Sequence, residues 1–135
     1  MYRLSNRSYR RLEGVNPLLV EILTEAIKDS PFDFGIPLYG GFRTAAEQNK
    51  LYQKGRSQLG NKVTNLDGYN RKSYHQSGNA FDIYVIANGD VTWNAEFYKP
   101  VARHIKSIAK NCFNVELTWG GDWVNFKDYP HFQID

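Results

Sequence analysis

Residues 73–82 read SYHQSGNAFD, a turn followed by the start of a strand. His75 and Asp82 are seven positions apart, so on an unbroken strand their side chains would point to opposite faces. Gly78 supplies a turn between them, because glycine adopts backbone conformations that other residues avoid. We therefore expect His75 at the mouth of a strand and Asp82 on the strand itself, with both side chains in one cleft.

A second segment, residues 128–132, reads DYPHF. Pro130 interrupts regular strand pairing, so Asp128 and His131 can point into one cleft. With the earlier segment this gives two histidines and one aspartate, a ligand set for zinc that leaves a fourth position open, as in catalytic sites. Asp128 is then a spare acid that can accept a proton. On spacing alone, ordinary surface or core roles fit these residues better than a shared metal ion. The complete motif is what favours the metal site.

Length and charge restrict the class of protein. The chain has 135 residues, a length typical of one domain, and a formal net charge of +3, which favours anionic partners such as nucleic acid, anionic lipid or an acidic cell-wall polymer. Arg7, Arg10 and Arg11 form its one dense basic cluster, but no nucleic-acid-binding motif accompanies them. No apolar run follows the basic N-terminus. We therefore predict a monomer with no signal peptide, no membrane insertion and no nucleic-acid partner.

The apolar pattern and the capping residues predict an α+β fold. Asn16 and Pro17 form a helix cap ahead of an apolar stripe at residues 18–27. Thr44 and Glu47 form a capping box that starts a second helix, which stops at Gly55. The other predicted elements are a helix over residues 97–111 and strands over residues 81–86, 115–119 and 131–134. This order suggests about three helices packed on one side of a small antiparallel sheet.

Residues 56–72 show neither a helical nor a strand period. A structureless segment of this length in a compact domain is usually functional or mobile. Because it leads directly to His75, one interpretation is a wall of a substrate cleft, and the alternative is a mobile surface loop. Arg43 and Gln48 occupy positions that normally hold an apolar pair beside a capping box, so we expect these polar side chains to face a cleft.

The complete motif resembles that of a superfamily of zinc peptidases: SxHxxGxAxD at residues 73–82, followed by DxxH at residues 128–131. This superfamily contains D-Ala-D-Ala carboxypeptidases and phage L-alanyl-D-glutamate endopeptidases, and its fold group includes the Hedgehog signalling domain. The resemblance is closest to the phage endolysin branch. Its further segments are matched in order by LEGVNP (12–17), GFRT (41–44), Gln48 with Leu51-Tyr52, and WGGDW (119–123).

The resemblance implies the roles of the metal centre. His75, Asp82 and His131 would bind one zinc ion, and Asp128 would be the general base. Asp122 competes with Asp128 on chemistry alone, but the motif match favours Asp128. The implied fold is Hedgehog/DD-peptidase-like, with residues 1–135 as a single catalytic domain and no added cell-wall-binding domain.

The resemblance also implies a set of substrate contacts. Arg43 corresponds to the family's arginine that contacts the substrate or the developing oxyanion, and Gln48 would support it. Ser73 would contact the substrate or orient a ligand. Trp119 and Trp123 would line or buttress the groove, and core packing is an equal alternative for both.

The implied activity is hydrolysis of the L-alanyl–D-glutamate bond in peptidoglycan stem peptides, which lyses the bacterial host. The enzyme would be made in the host cytoplasm and reach the wall through another factor. The alternatives are a D-Ala-D-Ala carboxypeptidase or dipeptidase with the same metal centre, a non-catalytic zinc-containing module that binds the cell wall, and a nucleic-acid binder suggested by charge alone. A regulatory calcium ion at Asp67, Asp90 or Asp122 stays open, although no calcium-loop motif accompanies them.

Overall fold

Four helices, one more than predicted, are distributed along the chain. The computed structural model describes residues 1–135. The helices are α1 (Asn6–Arg11), α2 (Pro17–Ala26), α3 (Ala45–Gln53) and α4 (Ala95–Phe113). Single turns of 3₁₀ helix lie at Ile27–Asp29, Tyr74–Ser77 and Gly120–Asp122. None of the helices combines the length and the apolar character needed to cross a membrane.

Six short strands form two antiparallel sheets instead of the single sheet that the sequence predicted. The first sheet has the order β1-β3-β4 and the second the order β2-β6-β5. The strands are β1 (Asp33–Gly35), β2 (Ala80–Asp82), β3 (Tyr84–Ala87), β4 (Asp90–Thr92), β5 (Thr118–Trp119) and β6 (His131–Gln133). The predicted α+β class is therefore confirmed, with its sheet divided in two.

The core forms where α2 packs against α4 and the first sheet. The cap of α2 is as predicted, because the Asn16 side chain accepts a hydrogen bond from the backbone N–H of Leu18 behind Pro17. Burying an aliphatic side chain contributes about 1.5–3 kcal/mol, and the two helices supply nine of the 21 residues of the core. Their buried residues are Leu19, Ile22, Leu23 and Ala26 of α2, and Tyr98, Val101, Ala102, Ile105 and Ala109 of α4.

Helix α1 was not predicted, because its sequence NRSYRR has no apolar stripe. Contacts with a distant segment hold it in place. The Ser8 hydroxyl accepts a hydrogen bond from the backbone N–H of Ile36, and the Arg11 guanidinium donates one to the Ile36 carbonyl, both at 3.0 Å. Helix α1 thus fixes the start of the segment that leads to Gly41, whose carbonyl contacts the ring of His75.

Ile83 separates two strands that the sequence predicted as one. Residues 81–86 alternate as a single strand should, yet the chain leaves the second sheet after Asp82 and enters the first sheet at Tyr84. At the junction the backbone N–H of Ile83 donates to the Pro130 carbonyl at 3.0 Å, and that of Asp82 donates to the Gly40 carbonyl at 2.7 Å. Asp82 therefore lies at the seam between the two sheets, held by its backbone.

Candidate metal centre

The register of β2 and β6 brings Asp82 and His131 together, because they are direct cross-strand partners. Opposed residues on an antiparallel pair have Cβ atoms about 4.5–5.5 Å apart and share one face of the sheet. The neighbouring pair, Phe81 and Phe132, points to the other face, where the rings stack with centroids 5.0 Å apart. One face is therefore closed by the core, and the other presents an acid and an imidazole to the cleft.

His75 reaches the same point from the 3₁₀ turn before β2. The Ser73 hydroxyl accepts a hydrogen bond from the His75 backbone N–H at 3.2 Å, and the Gln76 side chain accepts one from the Ser73 N–H, so a capping box fixes the turn. Gly78 ends the turn with φ of 77°, and a Cβ there would lie 2.6 Å from the Gly14 carbonyl oxygen. The glycine turn brings the His75 ring alongside Asp82, as expected.

The three candidate ligand atoms are spaced as a metal ion requires. His75 Nε2 lies 3.3 Å from His131 Nδ1 and 3.3 Å from Asp82 Oδ1, and His131 Nδ1 lies 3.1 Å from Asp82 Oδ1. Bonds of about 2.1 Å in tetrahedral geometry place neighbouring ligand atoms about 3.4 Å apart. The three side chains thus form a group able to hold one metal ion.

The tautomer of His75 is set by a backbone carbonyl. His75 Nδ1 lies 2.8 Å from the carbonyl oxygen of Gly41, which can only accept a hydrogen bond. Nδ1 therefore carries the hydrogen, and the lone pair of Nε2 faces the candidate site. Such an outer partner fixes the orientation of a ligating histidine.

The tautomer of His131 is set by Gln133, on the same face of β6. Gln133 Nε2 donates to Asp135 Oδ1 at 2.6 Å, which leaves Gln133 Oε1 as the atom 2.8 Å from His131 Nε2. Because Oε1 only accepts, His131 Nε2 carries the hydrogen and the lone pair of Nδ1 faces the site. The hydroxyl of Thr118, on the adjacent strand, donates to the other Asp135 carboxylate oxygen and holds this chain of contacts.

Three lone pairs therefore converge, an arrangement that repels unless a cation lies between them. The pKa shifts of Asp82 and His131 also indicate that positive charge is favoured between these groups. Burial opposes ionisation of Asp82, but the two histidines outweigh it and lower the pKa of this carboxyl. Burial likewise opposes protonation of His131, but a proton added at Nδ1 would be hydrogen bonded to Asp82 and attracted by that carboxylate, which raises the imidazole pKa. The pocket is built to hold positive charge, and its donor set suits a divalent metal.

Removal of the Gln133 side-chain amide is expected to weaken metal binding. Gln133→Leu leaves all three ligands but frees the His131 ring to rotate or change tautomer. Outer partners of ligating histidines typically account for about 10–100-fold in metal affinity. Titration against a competing chelator should show a loss in this range. Gln58→Leu makes the same chemical change on the surface outside the cleft and should change nothing. Equal affinities for the folded Gln133 variant and the wild type would contradict the assignment.

Arg43 braces the second oxygen of Asp82. Its Nη2 donates to Asp82 Oδ2 at 3.1 Å, its Nη1 to Gln48 Oε1 at 3.0 Å, and its Nε to the Tyr39 carbonyl at 2.7 Å. Gln48 is fully buried and donates onward to the Leu66 carbonyl at 2.9 Å. The expected contact between Gln48 and Arg43 is therefore present. These bonds leave part of the donor capacity of the guanidinium free on the cleft side.

A cleft of about 890 Å³ opens over the three ligands, and the 56–72 segment forms one of its walls. Residues 62–66 and Lys72 of this segment line it, together with Ser73 and Tyr74 just beyond the segment. Side chains hold the segment in place: Asn49 donates to the Asp67 carbonyl at 3.0 Å, and Gln76 to the Gly68 carbonyl at 2.8 Å. Of the two interpretations of this segment, the structure supports the cleft wall.

Asp128 lies on the cleft beside the ligands and remains exposed to solvent. Its backbone N–H donates to the Gly120 carbonyl at 3.0 Å, and its carbonyl accepts from the His131 N–H at 3.1 Å. A Cβ on Gly120 would lie 2.3 Å from the Asp128 carbonyl oxygen, so this glycine permits the approach. Sequence reasoning missed that role. Surrounding protein atoms, and then the charge of Asp82, raise the pKa of Asp128, which makes it a better proton acceptor.

The remaining candidates divide between cleft and core. Ser73 and Trp123 line the cleft, and the Trp123 ring lies 5.4 Å from that of His131. Trp119 does not line it. This residue is buried, its indole N–H donates to the Tyr129 carbonyl at 2.7 Å, and its ring stacks on Phe132. Core packing is therefore the alternative that the structure shows for Trp119.

The acids considered for calcium do not come together. Asp67 Oδ1 accepts hydrogen bonds from three backbone N–H groups of its own loop, and Asp122 Oδ2 pairs with Lys106 Nζ at 2.7 Å on the surface. Asp90 is an exposed residue of β4 and belongs to no group able to hold a metal ion. The group able to hold a metal is the His75–Asp82–His131 set, so a calcium site has no support.

Known proteins that are similar to this chain share one named activity. The family model described as phage L-alanyl-D-glutamate peptidase matches residues 1–134. The peptidoglycan L-alanyl-D-glutamate endopeptidase CwlK of Bacillus subtilis is 35% identical over 124 residues, which cover 86% of this chain and 71% of that protein. The L-alanyl-D-glutamate peptidase of Escherichia phage T5 is 29% identical over 95% of this chain and 86% of its own length. The crystal structure of the L-Ala D-Glu endopeptidase ChiX of Serratia marcescens matches with a TM-score of 0.78 and 30% identity, over 99% of this chain and 90% of that one.

Proposed function

This chain belongs to the phage L-alanyl-D-glutamate peptidase family, and we propose that it cleaves the L-alanyl–D-glutamate bond of peptidoglycan stem peptides with one zinc ion. Membership makes it an enzyme that acts on peptide bonds of the cell wall. The observation that carries the proposal is that His75, Asp82 and His131 converge with the spacing of ligands in a tetrahedral metal site. Asp128, an acid outside this group, lies beside them on the cleft. The open cleft above them leaves room for an extended peptide.

Zinc is the ion that best fits this donor set. Two imidazole nitrogens and one carboxylate oxygen are typical of catalytic zinc sites that keep a further position for water or substrate. When bound, the ion supplies Lewis acidity, which makes water more acidic and polarises a carbonyl group. The protein contributes fixed ligand orientation, because Gly41, Gln133 and Arg43 hold the outward atoms of the three ligands.

Asp128 is the group that we assign to proton transfer. One carboxylate oxygen accepts a proton as water adds to the carbonyl carbon of L-alanine. When the C–N bond breaks, the same oxygen returns that proton to the departing amine of D-glutamate. The raised pKa of Asp128 brings its acidity closer to that of the groups with which it exchanges the proton.

Arg43 and three further residues are assigned to substrate binding. The Arg43 donors that remain free are placed to contact the substrate carbonyl while the others hold Asp82. Gln48 keeps the guanidinium in this position. Ser73 and Trp123 line the cleft and are the further candidate contacts. In the biological setting that we propose, the enzyme lyses the bacterial host of a phage after another factor releases it from the cytoplasm.

Mass spectrometry of digested peptidoglycan tests this function. Purified peptidoglycan and a soluble stem peptide are incubated with the protein, with and without a chelator. We expect products with a new D-glutamate amino terminus, their loss on chelation, and their return when zinc is restored. Release of terminal D-alanine alone would instead identify a carboxypeptidase with the same metal centre. Unchanged cleavage in chelator would contradict the metal assignment.

A further inference from the structure

A large part of the positive charge of this protein lies along one wall of the cleft, in the 56–72 segment and the adjoining Lys54. Residues 54–72 contain five basic residues and one acid, whereas the whole chain has 17 basic residues and 14 acids. Without this segment the rest of the chain would carry a slight excess of acids. The segment therefore has a strong local excess of positive charge on the side of the cleft, equal in size to that of residues 1–12 at the N-terminus.

Some charges of this wall are used to build it. The guanidinium of Arg56 donates to the Thr64 carbonyl at 3.1 Å and lies 3.7 Å from the centre of the Tyr52 ring. The carboxylate of Asp67, the one acid of the segment, accepts the backbone N–H groups of its own loop. These two side chains hold the wall together and are not free to contact a ligand.

The side chains of three lysines of the wall make no hydrogen bonds that hold the wall together. Lys54, Lys62 and Lys72 all line the cleft and are all exposed to solvent. None of them takes part in an ion pair of the structure or donates a side-chain hydrogen bond. Gly55 lies against the next turn of the wall, since a Cβ there would be 2.6 Å from the backbone nitrogen of Lys62, and this contact brings the backbones at Lys54 and Lys62 close together.

The other charged groups of the cleft do not neutralise these lysines. The acids that line the cleft, Asp82 and Asp128, both belong to the catalytic end. Lys127, which also lines the cleft, donates hydrogen bonds to the carbonyls of Gly121 and Trp123. The wall therefore presents an unneutralised positive field beside the metal centre, which attracts anionic groups into the cleft.

We propose that Lys54, Lys62 and Lys72 form a subsite for the carboxylates on the D-glutamate side of the stem peptide. This inference rests on the proposed function. D-glutamate that is joined to the next residue through its side-chain carboxyl keeps a free α-carboxylate beside the scissile amide nitrogen. The leaving part of the substrate is thus anionic, and three mobile lysines can follow its carboxylates without the fixed geometry that arginine would impose.

Replacing all three lysines tests the subsite. Lys54→Gln/Lys62→Gln/Lys72→Gln is compared with the wild type on a soluble stem peptide whose D-glutamate has either a free α-carboxylate or an α-amide. Exposed ion pairs are individually weak, so we expect a combined rise in KM of roughly five- to twenty-fold for the acid at low salt. The amide should be affected less, and salt of about 0.5 M should remove most of the difference.

A matched control separates a local subsite from overall charge. Lys28→Gln/Lys50→Gln/Lys110→Gln removes the same charge from exposed positions outside the cleft and should leave KM at the wild-type value. An equal rise in KM for both triple variants would overturn the proposal. So would an unchanged acid-to-amide preference in the cleft variant. A soluble peptide without phosphate ensures that any effect comes from peptide carboxylates and not from another wall polymer.

A binding measurement keeps the inference independent of turnover. Calorimetry with the D-glutamate-terminated product peptide should show weaker binding to the cleft variant than to the control variant. If the wild type cleaved neither substrate, the proposed function would fail, while this difference in Kd would still support an anionic subsite. Equal Kd values for the two triple variants would overturn the subsite whatever the activity.

Discussion

His131→Ala is expected to abolish metal binding and peptidase activity together. The variant keeps two of the three ligand atoms and loses the one whose lone pair Gln133 orients toward Asp82. Loss of an outer partner alone costs about 10–100-fold in metal affinity, and loss of a direct ligand should exceed that range. Metal content after dialysis and the rate of stem-peptide cleavage measure the two effects.

The chain contains its own control for this change. His104, on α4, is the one histidine outside the cleft, and its Nε2 contacts the Ala26 carbonyl at 2.7 Å. His104→Ala should cost about 1 kcal/mol of folding stability through that hydrogen bond and leave metal content and activity intact. A His131→Ala protein that still bound metal tightly would remove His131 from the ligand set.

Asp128→Asn is expected to separate chemistry from metal binding. The carboxamide has nearly the shape of the carboxylate but cannot take a proton from water. General acid–base groups typically contribute about 10²–10⁴-fold to the rate, so activity should fall in that range while the metal content stays at one ion per chain. The structure supports this separation, because Asp128 is not a member of the ligand group.

The surface acid Asp122 provides the matched control for Asp128→Asn. Asp122 pairs with Lys106 outside the cleft, so Asp122→Asn should retain both metal and activity. Loss of metal from the Asp128 variant would show that Asp128 is a ligand. A fall in activity for the Asp122 variant alone would exchange the roles of the two acids.

Local signals in the sequence predicted the local parts of the structure. The capping box of Thr44 and Glu47 and the cap formed by Asn16 and Pro17 are present, because each depends on residues within one turn. Helix α1 escaped prediction because it has no apolar stripe; Ser5 caps it, and two of its side chains form hydrogen bonds with residue 36, far along the chain. The alternation over residues 81–86 was real, but it carried no information on which sheet each half would join.

The sequence likewise predicted one part of the candidate site and missed another. The motif predicted which residues meet, and the spacing of His75, Asp82 and His131 agrees with it. It did not predict which ring nitrogen faces the metal, because that depends on the Gly41 carbonyl and on Gln133. Gly120 was visible only as part of a family segment, although its lack of a side chain is what lets Asp128 approach.

The pairing of β2 with β6 also has a consequence for unfolding. His75 and His131 are separated by 56 positions along the chain, and Asp82 and His131 by 49. An ion held by all three is therefore a removable cross-link between distant parts of the chain, and it is lost when they separate. At a free ion concentration 100 times the Kd, such linkage adds about 2.7 kcal/mol to the free energy of unfolding. The three ligands that we assign to the catalytic ion would thus also make the thermal stability of the fold depend on the supply of metal.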